Sequence, residues 1–149
     1  MPSAPWPYNL VEMRKTWTEK FHNGKPPKIV VLEKPYMGAS AGSRMLVASP
    51  EAVKGYIDAI PRGEFRTVAQ LRTDLAKKFK ADIACPTSTG IFVRIVSEVA
   101  LEDIEAGKPA KQITPFWRVV DPESPAAQKL SCGPEFVAKQ RAAETKMGA

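Results

Sequence analysis

The stretch from Ser49 to Pro109 is punctuated by helix starts and stops, and this constrains the fold more than any other feature of the chain. Ser49-Pro50-Glu51 supplies a hydroxyl cap, a proline at the first helical position and an early acid. Val53, Tyr56, Ile57 and Ile60 then recur on one face until Pro61-Arg62-Gly63 ends the helix. Thr67-Val68-Ala69-Gln70 is a capping box, in which the Thr67 hydroxyl accepts from the backbone and Gln70 reaches back. The helix it opens carries Val68, Leu71, Leu75, Ala76 and Phe79 on one side, with Arg72, Lys77 and Lys78 outside. Ala84-Cys85-Pro86 interrupts the chain. Thr87 or Ser88 then caps a third helix bearing Ile91, Phe92, Ile95, Val96, Val99 and Ile104, which Gly107 and Pro109 terminate. The short break between the second and third helices predicts a helix-turn-helix, with Ile113 to Val120 read as an extended segment beside it.

The flanking regions are simpler. Residues 1–8 hold Pro2, Pro5 and Pro7 and read as an extended lead-in. Asn9 can cap a helix in which Leu10, Met13, Trp17 and Phe21 form one stripe, stopped by Pro26-Pro27. Lys28 to Glu33 and Arg44 to Ala48 read as strands, joined through the flexible small-residue loop Gly38-Ala39-Ser40-Ala41-Gly42-Ser43. That loop fits no phosphate-binding glycine pattern. The tail from Pro134 to Lys146 reads as a final helix. These elements define an α+β chain: an extended lead-in over 1–8, then one domain over 9–149, in which 9–49 packs on a helix-turn-helix, winged-helix-like core over 50–141.

Composition excludes several classes of function. The chain has 149 residues, room for one domain with its own core. Its 22 Lys and Arg against 16 Asp and Glu give a net charge of +6, which permits a polyanionic partner without demanding one. Ile29 to Leu32 is the longest aliphatic run and cannot cross a bilayer, so no membrane partner is expected. The amino terminus lacks the pattern of a secretory signal, and a cytoplasmic location follows as the expectation. Cys85 and Cys132 with one histidine cannot build a structural zinc site, so neither metal nor other cofactor is implied. His22 sits at a predicted helix end, where the dipole favours it without any chemistry.

Ile60-Pro61-Arg62-Gly63-Glu64-Phe65-Arg66-Thr67, a capped helix, and then Pro115-Phe116-Trp117-Arg118-Val119-Val120 resemble the carboxy-terminal DNA-binding domain of the alkylguanine-DNA alkyltransferases. The likeness runs from Val53 to Arg141. In that family a Pro-Cys-His-Arg-Val segment carries the acceptor cysteine, and the histidine, backed by a glutamate, helps form the thiolate. Here Phe116 stands at the cysteine position and Trp117 at the histidine position. Phenylalanine offers no nucleophile and indole no basic nitrogen, so alkyl transfer has no acceptor at this site. The related alkyltransferase-like proteins also lack the cysteine and flag damaged DNA for repair. They usually carry Trp there and keep the histidine, a pattern from which Pro-Phe-Trp-Arg departs. The groove-entering arginine of the family falls near Gly90, its helix-start tyrosine at Val68, and its Asn-Pro at Lys108-Pro109. A closer likeness joins this chain to small alkyltransferase-family proteins without assigned activity. It rests on Cys85-Pro86-Thr87-Ser88-Thr89-Gly90-Ile91-Phe92 and Thr114-Pro115-Phe116-Trp117-Arg118.

The resemblance implies non-enzymatic DNA binding, linked to repair. Arg62, Arg66, Arg72, Lys77, Lys78 and Lys80 outnumber Glu64 and Asp74 across residues 62–80, and the start of the Thr87 helix offers amides and hydroxyls to a phosphate. The expected DNA contacts are Arg66, Thr67, Gln70, Arg72, Thr87, Ser88, Thr89 and Arg94, with Phe116, Trp117 and Arg118 around the former pocket. Glu98, Glu102, Asp103 and Glu105 would repel a duplex along the later half of that helix. Two other classes stay open: a thiol-dependent enzyme using Cys85 at a helix start, and a protein-interaction adaptor that uses the first fifty residues.

Overall fold

A computed structural model describes residues 16–22 and 24–148, with side chains through Thr145. The lead-in, the Asn9 cap, Leu10 and Met13 lie outside the described residues. What remains is mixed α+β. Helix α1 spans Trp17–His22, strand β1 Lys28–Val31, strand β2 Arg44–Val47 and helix α2 Pro50–Asp58. Helix α3 covers Val68–Lys78, strand β3 Ile83–Ala84 and helix α4 Pro86–Glu105. Two 3-10 turns, Ala110–Gln112 and Phe116–Arg118, lead into α5 (Pro125–Lys129) and α6 (Gly133–Gly148).

The local signals form as the chemistry requires. Ser49 Oγ accepts from Ala52 N at 3.1 Å to start α2. At α3, Gln70 N donates to Thr67 Oγ1 at 3.0 Å and Thr67 N to Gln70 Oε1 at 2.8 Å, which closes the capping box. β1 and β2 pair antiparallel with Ile29 opposite Leu46. Their connection is pinned rather than loose: Tyr36 and Ala39 exchange backbone hydrogen bonds of 2.8 and 2.9 Å around Met37 and Gly38. Both of these residues hold positive φ, the conformation of a tight hairpin turn.

Four expectations need correction. Cys85, not Thr87 or Ser88, is the cap residue of α4, because Pro86 already occupies the first helical turn. Ile91 is 54 % exposed and does not belong to the buried face, which Val93, Val96, Ala100 and Leu101 make instead. Residues 113–120 are not extended: their backbone turns on short-range bonds such as Val119 N to Phe116 O at 3.1 Å. The third strand comes from Ile83–Ala84, which adds parallel to β2 with Met45 opposite Ile83. Two residues are too few to show a period-2 pattern.

The core lies where α2, α3 and α4 meet the sheet and the 116–120 segment. Leu46, Val53, Ile57, Leu71, Leu75, Val96, Phe116, Val119, Val120 and Val137 are all buried in one cluster. No helix among the described residues is long and apolar enough to cross a membrane.

Candidate nucleic-acid interface

The Pro-Phe-Trp-Arg segment folds inward. Phe116 is wholly buried, stacked on Phe136 at 6.0 Å and edge-on to Trp117 at 5.4 Å. Trp117 Nε1 donates to Glu144 Oε2 at 2.6 Å. Arg118 Nε reaches both Glu144 oxygens at 3.0 and 3.1 Å, while its Nη1 donates to Ile60 O at 2.6 Å. Gly63 N, in the turn after α2, donates to Glu144 Oε1 at 2.9 Å. Gly63 holds φ at +86°, which a side chain would strain, and this conformation presents its amide to the carboxylate. Arg141 Nε closes the knot on Trp117 O at 2.6 Å, with its guanidinium over Phe65.

Glu144 is thus a buried carboxylate with four donors around it. Burial alone pushes its pKa up, but the hydrogen bonds of Arg118, Gly63 and Trp117 outweigh that and hold it below the ordinary carboxylate value. Sequence reasoning missed Glu144, because the residues it serves lie 26 to 81 positions away. The aromatic pair fills its own space. Phe116 is fully enclosed by this packing.

The amino-terminal end of α4 has the opposite character. Thr87, Gly90, Ile91 and Arg94 are exposed there. A cleft of about 360 Å³ joins Thr87, Gly90, Ile91 and Arg94 to Lys129 and Leu130. On the other flank a cleft of about 300 Å³ joins Pro86 to Met37, Arg72, Lys77 and Asp82. Asp82 is occupied, since Arg44 N donates to its carboxylate at 2.8 Å. Met37 and Ile91 are 61 % and 54 % exposed, unusual for large apolar side chains. Among the described residues, the buried side-chain polar atoms without a nitrogen or oxygen partner are Arg72 Nε and Ser88 Oγ. Both border this end of α4. Ser88 Oγ faces the sulfur of Cys85.

Cys85 itself is buried at the cap position. Burial pushes its thiol up, yet the Ser88 hydroxyl, the Ser88 and Thr87 amides and the Tyr36 hydroxyl favour the thiolate, and the net shift is downward. It lines neither flanking cleft. His22 ends α1 edge-on to Phe21 and is exposed. Cys132 moves the other way, raised mainly by burial.

The remaining anticipated contact residues divide. Thr67 and Gln70 spend their side chains on the capping box. Thr89 is fully buried and donates to Cys85 O at 2.6 Å, beyond the reach of a partner. Arg66 pairs with Glu64 at 2.9 Å, and its backbone joins Arg118 O, on the aromatic side of the molecule. Arg72, Thr87, Ser88 and Arg94 do come together around α4. Arg94 also rests over the Trp17 ring at 5.1 Å.

Two of the four acids of α4 are engaged elsewhere. Glu98 is buried and accepts from Ser131 N at 3.0 Å and Ser131 Oγ at 2.6 Å. Glu102 accepts from Trp17 N and Thr18 N at 3.2 and 3.0 Å and so caps α1 from another helix. Glu98 therefore presents no free charge to a duplex, contrary to the sequence expectation. No cluster of His, Cys, Asp or Glu among the described residues could hold a metal ion. Compared with known proteins, the chain matches no family model, no curated protein and no solved structure.

Proposed function

We infer that this protein binds DNA without transforming it, on a winged-helix-like core akin to the DNA-binding domain of the alkyltransferases. The observation that carries the reading is the exposed start of α4, cationic on both flanks. Arg72 and Lys77 stand on one side, Arg94 and Lys129 on the other. The amides and hydroxyls at that end suit phosphate oxygens, and the arginines supply charge-assisted bonds. Arg72 Nε, beside this end of α4, is a polar atom without a partner of its own. Glu98 and Glu102 are bound to Ser131 and to the start of α1, and Asp103 and Glu105 lie in the last turn of α4, away from its exposed start.

The alkyltransferase resemblance gains support from Glu144. In that family a glutamate backs the histidine beside the acceptor cysteine, and here Glu144 accepts from Trp117 at the histidine position. The scaffold of the acceptor site is thereby kept while Phe116 removes its chemistry.

Anisotropy of a labelled duplex tests the reading. The expected result is micromolar affinity at low salt that falls steeply as salt rises, because counterions are released from phosphates. Arg72→Ala with Arg94→Ala weakens binding about tenfold and reduces the salt slope by about two. Binding that ignores salt, or none at low ionic strength, removes the proposal.

A further inference from the structure

Strand β1 lies at one edge of the sheet, and its outer side is open. Leu32 N donates to Ser43 O at 2.9 Å and Leu32 O accepts from Gly42 N at 2.7 Å, so even-numbered residues of this strand turn their backbone toward β2. On the far side of β2, Arg44 O and Leu46 O take Asp82 N and Cys85 N, each at 2.8 Å, as the same alternation requires. The N–H and C=O groups of Ile29 and Val31 therefore point out of the sheet, and no bond among the described residues reaches them. We propose that a second copy of this chain pairs with this edge, strand to strand and antiparallel, in a two-fold dimer that joins the two sheets into one.

The lack of any defence is the first argument. Sheet edges that stay in water are usually blunted by proline, charge, a bulge or shortness. The opposite edge is of that kind, because β3 has two residues and Pro86 follows Cys85 directly behind it. The β1 edge instead offers Ile29, Val30, Val31 and Leu32 in succession, with Val31 62 % exposed.

Self-complementarity is the second argument, and it selects another copy of the chain over other occupants. The extended stretch covers residues 28–32: Pro26 and Pro27 precede it, and the chain bends at Glu33. Its midpoint is Val30, whose backbone faces inward. A two-fold axis there sets Ile29 of each copy opposite Val31 of the other, so that the free groups of both strands meet in hydrogen-bonded pairs. A slip of one residue would set free groups against groups already bonded to β2. An axis through Val31 would run Lys28 of one copy against Lys34 of the other. Charge agrees with the antiparallel sense, which lays the Lys28 end of each strand along the Glu33 end of its mate, whereas parallel pairing in register sets Lys28 beside Lys28.

Packing gains as well. Ile29 rests against the core, so the Val31 of a second copy lands beside a core-facing residue and loses its exposure. On the other face Val30 meets Val30. The contact is one strand wide, at the low end of interface areas, and the dimer therefore responds to concentration.

Sedimentation equilibrium of the full chain, from micromolar to millimolar, decides the matter. A monomer–dimer equilibrium is expected. Val31→Pro removes an N–H that bonds nothing in the monomer, and Val31→Lys adds a charge at an exposed site, so both keep the fold. Each weakens self-association at least about tenfold. Val30→Cys places its sulfurs on the axis at a Cα spacing of about 4.5 Å, and an intermolecular disulfide closes under copper-phenanthroline in air. Lys28→Cys, which sits opposite Leu32, does not cross-link, and neither does the parent with Cys85 and Cys132. The proposal fails if the chain stays monomeric throughout, which would give the edge to solvent or to a different partner. It fails if assemblies grow beyond the dimer, since a two-fold contact consumes the edge it uses. Val31 variants that associate like the parent also overturn it, as does Val30→Cys cross-linking no faster than Lys28→Cys or the parent. No duplex is present, so the result is independent of the DNA reading.

Discussion

Two regions of the molecule have been treated in opposite ways. Around Phe116, Trp117 and Glu144 the indole and the Arg118 guanidinium meet the carboxylate, the rings are packed against each other and the apolar surface is buried. Around the start of α4, Arg72 Nε goes without a partner, two large apolar side chains face outward, and Gly90 leaves the helix backbone bare. A chain that folds for its own stability alone would complete both regions. The first has been closed as core, and the second has been left open for something else.

The closed end breaks hardest. Glu144→Ala strips the partners from Trp117 and Arg118 and leaves a buried guanidinium exposed to no counter-charge. Loss of a buried partner of this kind costs about 3–5 kcal/mol, measured by urea denaturation. The milder Glu144→Gln sharpens the assignment through pH. Because the folded carboxylate titrates below its ordinary value, its stabilisation is present above the unfolded pKa and drains away as pH falls through the folded one. The stability gap between parent and Glu144→Gln therefore narrows below about pH 4.5. A gap that stays constant from neutral to acid would show that the charge contributes nothing.

Phe116→Cys comes next. It removes a fully buried ring and should cost about 3 kcal/mol. The new thiol stays unmethylated after incubation with a duplex bearing an O6-methylated guanine, as mass spectrometry would show, since indole has no proton acceptor to form the thiolate. Methyl transfer to that sulfur would show that position 116 can act as an alkyl acceptor.

At the open end the effect is smaller and opposite in sign. A Cβ at Gly90 meets nothing within 4 Å, so Gly90→Ala should stabilise the protein by about 0.5–1 kcal/mol through helix propensity. If the bare backbone serves a close approach by DNA, the same change weakens duplex binding severalfold. An alanine variant that is both more stable and equally avid would deprive Gly90 of its role in contact.

How much of this the sequence disclosed depended on distance along the chain. The Ser49 cap and the Thr67-Gln70 box were legible because their partners lie three residues away. The strands β1 and β2 were legible for another reason: each carries its own run of apolar and β-branched residues, although their partners lie further apart. Glu98, Glu102 and Glu144 were opaque, since Ser131, Thr18 and Gly63 lie 33, 84 and 81 positions away. On a one-dimensional reading their charges looked solvated. Ile91 misled for the reverse reason: it sits within an apolar run, yet the helix turns it outward. Of the anticipated contacts, Arg72 and Arg94 could be placed by helical phase, whereas Thr89 shows its inward turn only once Cys85 is seen to be the cap.

The clamp at Glu144 also bears on the order in which the molecule assembles. Its bond to Gly63 closes a loop of 81 residues, an entropic cost met only once the intervening helices have shortened the path. The helices α2, α3 and α4 can therefore associate first, and the carboxylate locks the product afterwards. Such a late fastener acts as a brake on opening: weakening it quickens unfolding and leaves the refolding rate nearly untouched.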